Sequence, residues 1–160
     1  MPELRTTEAP ATATIKPAIL CVDDDASNLV VMQMRLESRY EVLVAASDHE
    51  TCVQLRDHGH RLAAVLMDVQ LIGSQLDGIA LTRLIRGTLD PAKLQGLPDG
   101  VPTFADLPVL FVTAFGEQYD QQSLLAAGAS GIIAKPVNFV KLAGALTRHQ
   151  LRGILGRGLA

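Results

Sequence analysis

"AILCVDDDASN", residues 18–28, decides the fold because five apolar residues lead directly into three consecutive aspartates. A short apolar run bounded by polar residues indicates a buried strand. Like charges about 4 Å apart repel by roughly 4 kcal/mol at an effective dielectric constant of about 20, which is a sizeable part of the stability of a domain. We therefore expect a positive group to lie among Asp23, Asp24 and Asp25.

Four further short apolar runs follow this stretch and alternate with segments of helical period. This alternation is typical of an α/β domain, and we predict a doubly wound, five-stranded parallel sheet with helices on both faces. The predicted strands are "AILCV", "EVLVAA", "LAAVLM", "PVLFV" and "GIIA". The predicted helices are "NLVVMQMRLES", "HETCVQLRDH", "GIALTRLIR", "QQSLLAA" and "FVKLAGALTRHQLRGIL".

The length and punctuation of the chain predict one folded domain with short extensions. The predicted segments are a flexible leader over 1–16, the domain over 17–152, a long loop over 88–107 before the fourth strand, and a C-terminal tail over 153–160. Within the long loop, Asp90 and Pro91 are typical of the start of one helical turn, and Gly96 of its end.

Composition limits the classes of partner. A formal net charge of −3 gives no general attraction for nucleic acid or anionic lipid. No apolar stretch is long enough for a membrane helix. We therefore predict neither nucleic acid nor membrane as a partner. Cys21 and Cys52 lie in apolar or helical patterns, so we predict two buried free thiols in a reducing cytoplasm.

Several residues are predicted to have structural roles. Ser47 and Glu50 form a capping box at a helix start, and Gly59 is predicted to end that helix. Met32 and Met34 are predicted to pack in the core at helical spacing. Other predicted helix starts involve Asp25, Asp77 and Asn138.

Five polar residues are predicted to meet at one edge of the sheet. Asp23 and Asp24 follow the first strand, and Asp68 ends the third. Thr113 ends the fourth strand and Lys135 the fifth. In open α/β sheets, ligands bind outside the carboxyl ends of the strands, so we expect these side chains to share a site.

The chemistry of this group favours phosphoryl transfer. Carboxylates suit a hard cation such as Mg²⁺ or Mn²⁺. A carboxylate beside a divalent cation and Lys135 can attack a phosphoryl group, because the cations neutralise the charge on the transferring oxygens. The hydroxyl of Thr113 can donate to one of those oxygens.

Residues 17–150 resemble the receiver domain of two-component response regulators. The resemblance rests on the order and spacing of five pieces, "ILCVDDD", "AVLMDV", "LDGIALTRLIR", "PVLFVTA" and "GASGIIAKPV". It implies a flavodoxin-like sheet of strand order 2-1-3-4-5. It also implies that Asp68 is the phosphoacceptor, that Asp24, Asp68 and the main-chain carbonyl of Gln70 bind Mg²⁺, and that Asp23 helps largely through water.

The remaining site residues also match this family. Thr113 corresponds to its phosphoryl-sensing hydroxyl and Lys135 to its lysine, while Lys135-Pro136 corresponds to a bond that is usually cis and aims the lysine into the pocket. The resemblance implies phosphoryl transfer from a phosphohistidine of a sensor histidine kinase or histidine phosphotransfer protein. Such a protein phosphorylates and dephosphorylates itself at Asp68 rather than acting as a conventional enzyme.

Few residues follow the last predicted helix, so we expect no attached output domain. Signalling is then expected through contact with an unidentified downstream protein, and the family also allows a homodimer. Three departures from the family bear on this. The segment "VQLIGSQLDG" after Asp68 is two residues longer than the usual loop, Ile132 replaces the usual aromatic residue, and the 88–107 loop exceeds the family norm.

Parts of the sequence are also compatible with three other functions. "ILCVDDDAS" also resembles the opening motif of haloacid-dehalogenase-type phosphatases, with Asp23 as nucleophile and Asp25 as acid and base. That family needs further carboxylates after the lysine, and the sequence has none there. A receiver-like interaction module that works without phosphorylation is the second, favoured by Ile132 and the altered loop. A flavin-binding protein is the third, but no phosphate-binding loop or aromatic pair supports it.

Overall fold

The computed structural model describes residues 15–114 and 120–158, the last six by their backbone alone. Residues 1–14 of the predicted leader and 159–160 of the predicted tail lie outside this part. The described strands are β1 (Ala18–Val22), β2 (Glu41–Ala45), β3 (Leu62–Met67), β4 (Val109–Ala114) and β5 (Gly131–Lys135). They form one parallel sheet in the order β2-β1-β3-β4-β5, which confirms the predicted fold.

Helices connect the strands as the apolar periodicity predicted. They are α1 (Ala26–Leu36), α2 (Asp48–His58), α3 (Gly78–Arg86), α4 (Gln121–Ala126) and α5 (Phe139–Gly158). Short 3₁₀ turns occupy Gly59–Arg61 and Pro91–Leu94. Over the described residues, no helix has the length and apolar character needed to cross a bilayer.

Alternate residues of the central strands build a core on each face of the sheet, because successive side chains of a strand point to opposite faces. Leu20 of β1 belongs to the core that packs against α2, α3 and α4. Its neighbour Cys21 belongs to the core under α1 and α5. Both Cys21 and Cys52 are buried and free, as predicted. The prediction for Met34 was wrong: it is 69% exposed, whereas Met32 is buried.

The start and end of α2 follow local rules with two differences. The Ser47 side chain accepts a hydrogen bond from the Glu50 amide at 3.1 Å, but the Glu50 carboxylate accepts one from Ala46, one residue before the cap. Gly59 ends the helix with ordinary right-handed dihedrals. It is needed for space, since a Cβ there would lie 2.5 Å from the ring of Phe104.

The 88–107 segment packs onto the core of the α2, α3 and α4 face through several half-buried apolar residues. The Asp90 side chain caps its single 3₁₀ turn, as predicted. Arg86, the last residue of α3, ties the segment to the turn between α4 and β5: its guanidinium donates to the carbonyls of Phe104 and Gly128, each at 2.9 Å. The long loop is thus packed against the core of the domain and held there by hydrogen bonds.

Candidate functional site

The carboxyl ends of β1 and β3 bring three aspartates together. The two strands are in register at Val22 and Met67, so the next residue of each strand emerges at the same edge. Oxygens of Asp23, Asp24 and Asp68 all lie within 4.8 Å of one another. This convergence agrees with the spacing argument from the sequence.

Lys135 supplies the expected positive charge for two of these aspartates. Its Nζ lies 3.2 Å from Asp23 Oδ2 and 3.4 Å from Asp68 Oδ2. Asp25, the last of the three consecutive aspartates, has another role. Its exposed side chain caps α1 by accepting a hydrogen bond from the Ser27 amide at 2.8 Å. The Lys135-Pro136 peptide bond is cis, as the resemblance implied.

Both oxygens of Asp23 are engaged, and the residue is only 7% exposed. Oδ1 accepts from the Asp25 amide at 2.9 Å. Oδ2 accepts from the Asn28 side chain at 3.1 Å as well as from Lys135. The role of Asn28 was not predicted, and the only available signal is its position within the first turn of α1.

The Asp24 carboxylate is held from the other side by the loop that connects β3 to α3. Its Oδ2 accepts a hydrogen bond from the Ile72 amide at 3.1 Å. A carboxylate has two oxygens and about four acceptor positions. This contact therefore orients Asp24 and leaves acceptor capacity toward the pocket.

The charges of the pocket act on one another. Burial raises the pKa of Asp68, with Lys135 opposing the rise and Asp23 and Asp24 adding to it. Burial also lowers the pKa of Lys135, but the attraction of Asp68 and Asp23 outweighs it, so this pKa is raised overall. Asp68 is thus a carboxylate whose charged form would gain from a further cation.

The donor set fits a hard divalent cation. Three carboxylates offer oxygens at mutual distances that one ion can span, and Mg²⁺ is bound through one or two carboxylates with water and phosphate oxygens completing its coordination. A cavity of about 570 Å³ borders Asp23, Asp68 and Lys135. Beyond these charged groups, most of the cavity lining is apolar.

Two further predicted site residues are Thr113 and Gln70. Thr113, the next-to-last residue of β4, is paired in register with Ala134 of β5, and its hydroxyl donates to the Ala114 carbonyl at 3.2 Å. Gln70 is exposed, two residues beyond Asp68. Their placement agrees with the predicted edge, and their roles stay predictions.

The loop between β3 and α3 is fastened by Asp48, which was not identified from the sequence. One oxygen of its carboxylate accepts from the amides of Gln75 and Leu76, each at 2.9 Å. Its own amide donates to Ser74 Oγ at 3.0 Å. The sequence signal was weak, because an acid in the first turn of a helix is ordinarily explained by the helix dipole.

Gly78 brings the start of α3 against the phosphoacceptor candidate. Its amide donates to the Val69 carbonyl at 2.8 Å. A Cβ at this position would overlap the main-chain carbonyl of Asp68. Only glycine permits this approach, so the "LDG" piece has a physical role in placing Asp68.

Comparison with known proteins agrees with this geometry. The response regulator receiver domain model matches residues 19–147. The transcriptional regulatory protein ZraR of Salmonella typhimurium strain LT2 is 34% identical over 125 residues, covering 78% of this chain and 24% of ZraR. The sensor protein GacS of Pseudomonas syringae pv. syringae is 29% identical over 134 residues, covering 84% of this chain and 13% of GacS.

This chain therefore spans a quarter or less of those two relatives. Among solved structures, a response regulator receiver domain protein from Clostridium thermocellum matches with a TM-score of 0.71 and 22% identity over 86% of this chain and 97% of that one. A likeness at this identity concerns the fold. The family match runs from the first strand into the last helix, and on that basis the chain belongs to the response regulator receiver domain family of two-component signalling.

Proposed function

We propose that Asp68 accepts a phosphoryl group from a phosphohistidine on a sensor histidine kinase or histidine phosphotransfer protein. The observation that supports this is the contact of one ammonium, that of Lys135, with both Asp68 and Asp23 at the open edge of the sheet. In the transfer, a carboxylate oxygen of Asp68 bonds to phosphorus as the bond to the histidine nitrogen breaks. The nitrogen keeps the electron pair.

Each neighbour has a role in this step. Mg²⁺, or Mn²⁺, would be held by Asp24, Asp68 and the Gln70 carbonyl, with Asp23 acting largely through water, and when bound it neutralises charge on the transferring oxygens. Lys135 supplies a fixed positive charge. The hydroxyl of Thr113 turns from the Ala114 carbonyl to a phosphoryl oxygen. Water attacking phosphorus later releases inorganic phosphate and restores the carboxylate.

The signal then passes by protein contact to a downstream partner, with no nucleic acid or membrane involved. Self-association as a homodimer belongs to the same proposal. A cytoplasmic location stays a prediction. Ile132, half-buried against the core in β5, replaces the usual aromatic residue of the family, so activation follows another route through the fold.

The phosphatase alternative gains no support from the geometry. Asp23, its nucleophile, has both oxygens occupied by hydrogen bonds and an ion pair. Asp25, its acid and base, serves as a helix cap. Among the described residues, no contact adds support to the interaction module that works without phosphorylation or to the flavin-binding protein.

The proposal is tested by incubating the protein with Mg²⁺ and acetyl phosphate or phosphoramidate. We expect intact-mass measurement to show one added phosphoryl group, absent from Asp68→Asn and from samples with excess chelator. Asp25→Asn is the matched control, because asparagine caps helices about as well as aspartate, and it should be labelled like the native protein. Equal labelling of Asp68→Asn would reject the assignment.

A further inference from the structure

The loop over residues 68–77 carries two groups that the proposed metal site uses. The Ile72 amide orients the carboxylate of Asp24. The Gln70 carbonyl is a proposed metal ligand two residues after Asp68. The loop contains Gly73 at φ +86°, and hydrogen bonds from outside it hold residues on both sides of this glycine.

Asp48 holds the residues after this glycine. It is 6% exposed, which is unusual for an aspartate. Its carboxylate accepts three main-chain hydrogen bonds, from His49 at 2.8 Å and from Gln75 and Leu76 at 2.9 Å each. Hydrogen bonds to an ionised acceptor are about twice as strong as neutral ones.

Two neighbouring parts of the loop are therefore tied to different elements. Asp48 of α2 holds residues 74–76, and Asp24 after β1 holds Ile72. Only one residue, Gly73, separates these tied positions. Loss of the hydrogen bonds to Asp48 would therefore allow the Ile72 amide to turn away from the Asp24 carboxylate.

We propose that Asp48 is a positioning residue for the metal site: by fixing the β3–α3 loop from α2, it aims the Ile72 amide at Asp24 and so sets the affinity for the divalent cation. This inference rests on the proposed function. It assigns a role in phosphoryl transfer to a residue that touches neither metal nor phosphate. Loss of outer partners of metal ligands typically weakens metal binding by about 10–100-fold.

A purely structural role for Asp48 must be separated from this, because the residue also lies in the first turn of α2. Ser47→Ala is the matched control: it removes the helix cap one residue away and leaves the loop contacts intact. Ser74→Ala is a second, milder variant, since it removes the acceptor for the Asp48 amide from the loop side.

The experiment measures the Mg²⁺ dissociation constant by calorimetry and the Ile72 amide resonance without metal, alongside thermal unfolding. We expect Asp48→Asn to weaken Mg²⁺ binding about tenfold, within the range for outer partners, and to move the Ile72 resonance. Ser74→Ala should do the same to a smaller degree. Ser47→Ala should lower thermal stability but keep the native Mg²⁺ affinity.

Native Mg²⁺ affinity in both Asp48→Asn and Ser74→Ala would overturn the inference, and Ser74→Ala decides alone if Asp48→Asn does not fold. Weakened binding in Ser47→Ala equal to that in Asp48→Asn would also overturn it, because both losses would then come from α2. A native protein that binds Mg²⁺ but takes no phosphoryl group would reject the proposed function while leaving the positioning role supported by these affinities. A native protein that binds no Mg²⁺ would overturn both.

Discussion

Opposing charges act on a single side chain at Asp68. Burial and the carboxylates of Asp23 and Asp24 raise its pKa, which disfavours the ionised form that the proposed transfer requires. The ammonium of Lys135 opposes that rise from 3.4 Å away. The proposed phosphoacceptor chemistry therefore relies on a carboxylate whose charged form is disfavoured until a cation binds beside it.

Replacing this carboxylate should stabilise the metal-free protein. The folded-state pKa of Asp68 lies above the unfolded value, so its ionisation favours the unfolded chain. In excess chelator we expect Asp68→Asn to unfold at a higher temperature than the native protein at neutral pH. This difference in unfolding temperature should appear as the pH rises through the ordinary aspartate pKa of 3.8 and should reach its full size above the raised pKa of Asp68.

Scanning calorimetry over a pH series measures this difference. Asp25→Asn serves as the reference, because that carboxylate is exposed and its capping role survives in asparagine. A lower unfolding temperature for Asp68→Asn than for the native protein at neutral pH would contradict the electrostatic account.

At the level of elements, the regular structure was predictable where local pattern and tertiary environment agree. β3 is an uninterrupted apolar run, and its last four residues are all buried. The start of α2 followed from the Ser47 cap. Met34 shows the limit of periodicity, because helical spacing alone does not say which side of α1 faces the sheet.

Contacts between elements were not predictable from local pattern. Asp48 and its loop partners are 27 and 28 residues apart. Arg86 and the Gly128 carbonyl are 42 residues apart. A helix dipole explains an acid near the start and a base near the end of a helix, so neither residue carries a local sign of a distant partner. The pocket itself was predictable because the topology rule for parallel sheets already brings strand ends together.

Arg86 offers a test at this scale. Arg86→Ala leaves the carbonyls of Phe104 and Gly128 without their charged donor. Hydrogen bonds to charged groups contribute about 1.5–3 kcal/mol, and we expect urea unfolding to show a loss of about 2 kcal/mol. Limited proteolysis should cut the 88–107 segment faster than in the native protein.

Arg83→Ala on the same helix is the control, since Arg83 is exposed. It should change neither the unfolding free energy by more than about 0.5 kcal/mol nor the cleavage rate. Equal losses in the two variants would show that Arg86 does not hold the segment.

On the scale of the whole molecule, the side chains of the pocket come from strands that are buried to different degrees. The aspartates follow the central strands β1 and β3, which lie between two cores. Lys135 comes from the edge strand β5, where every residue is only partly buried. A change of charge at Asp68 thus acts on a firmly packed centre from one side and on a more exposed strand from the other.

Metal binding should consequently stabilise the entire domain. A ligand that binds only the folded state at about 100 times its dissociation constant adds about 2.7 kcal/mol. We expect saturating Mg²⁺ to raise the free energy of unfolding by about this amount, because it relieves repulsion among Asp23, Asp24 and Asp68. Chemical unfolding with and without chelator at constant ionic strength measures it.

In Asp24→Asn, the increase in the free energy of unfolding caused by Mg²⁺ should fall to less than half of the native value at the same Mg²⁺ concentration. In Asp25→Asn it should keep the native value. An unchanged gain in Asp24→Asn would place the ion elsewhere.

The contact between Gly59 and the Phe104 ring links two positions that are 45 residues apart in the chain. A side chain added at 59 would need the space that the ring fills, so neither position can enlarge alone. Among related receivers that carry a comparable segment before β4, we therefore expect these two positions to covary, with a small residue at the first accompanying an aromatic residue at the second. Receivers without such a segment should show no such pairing.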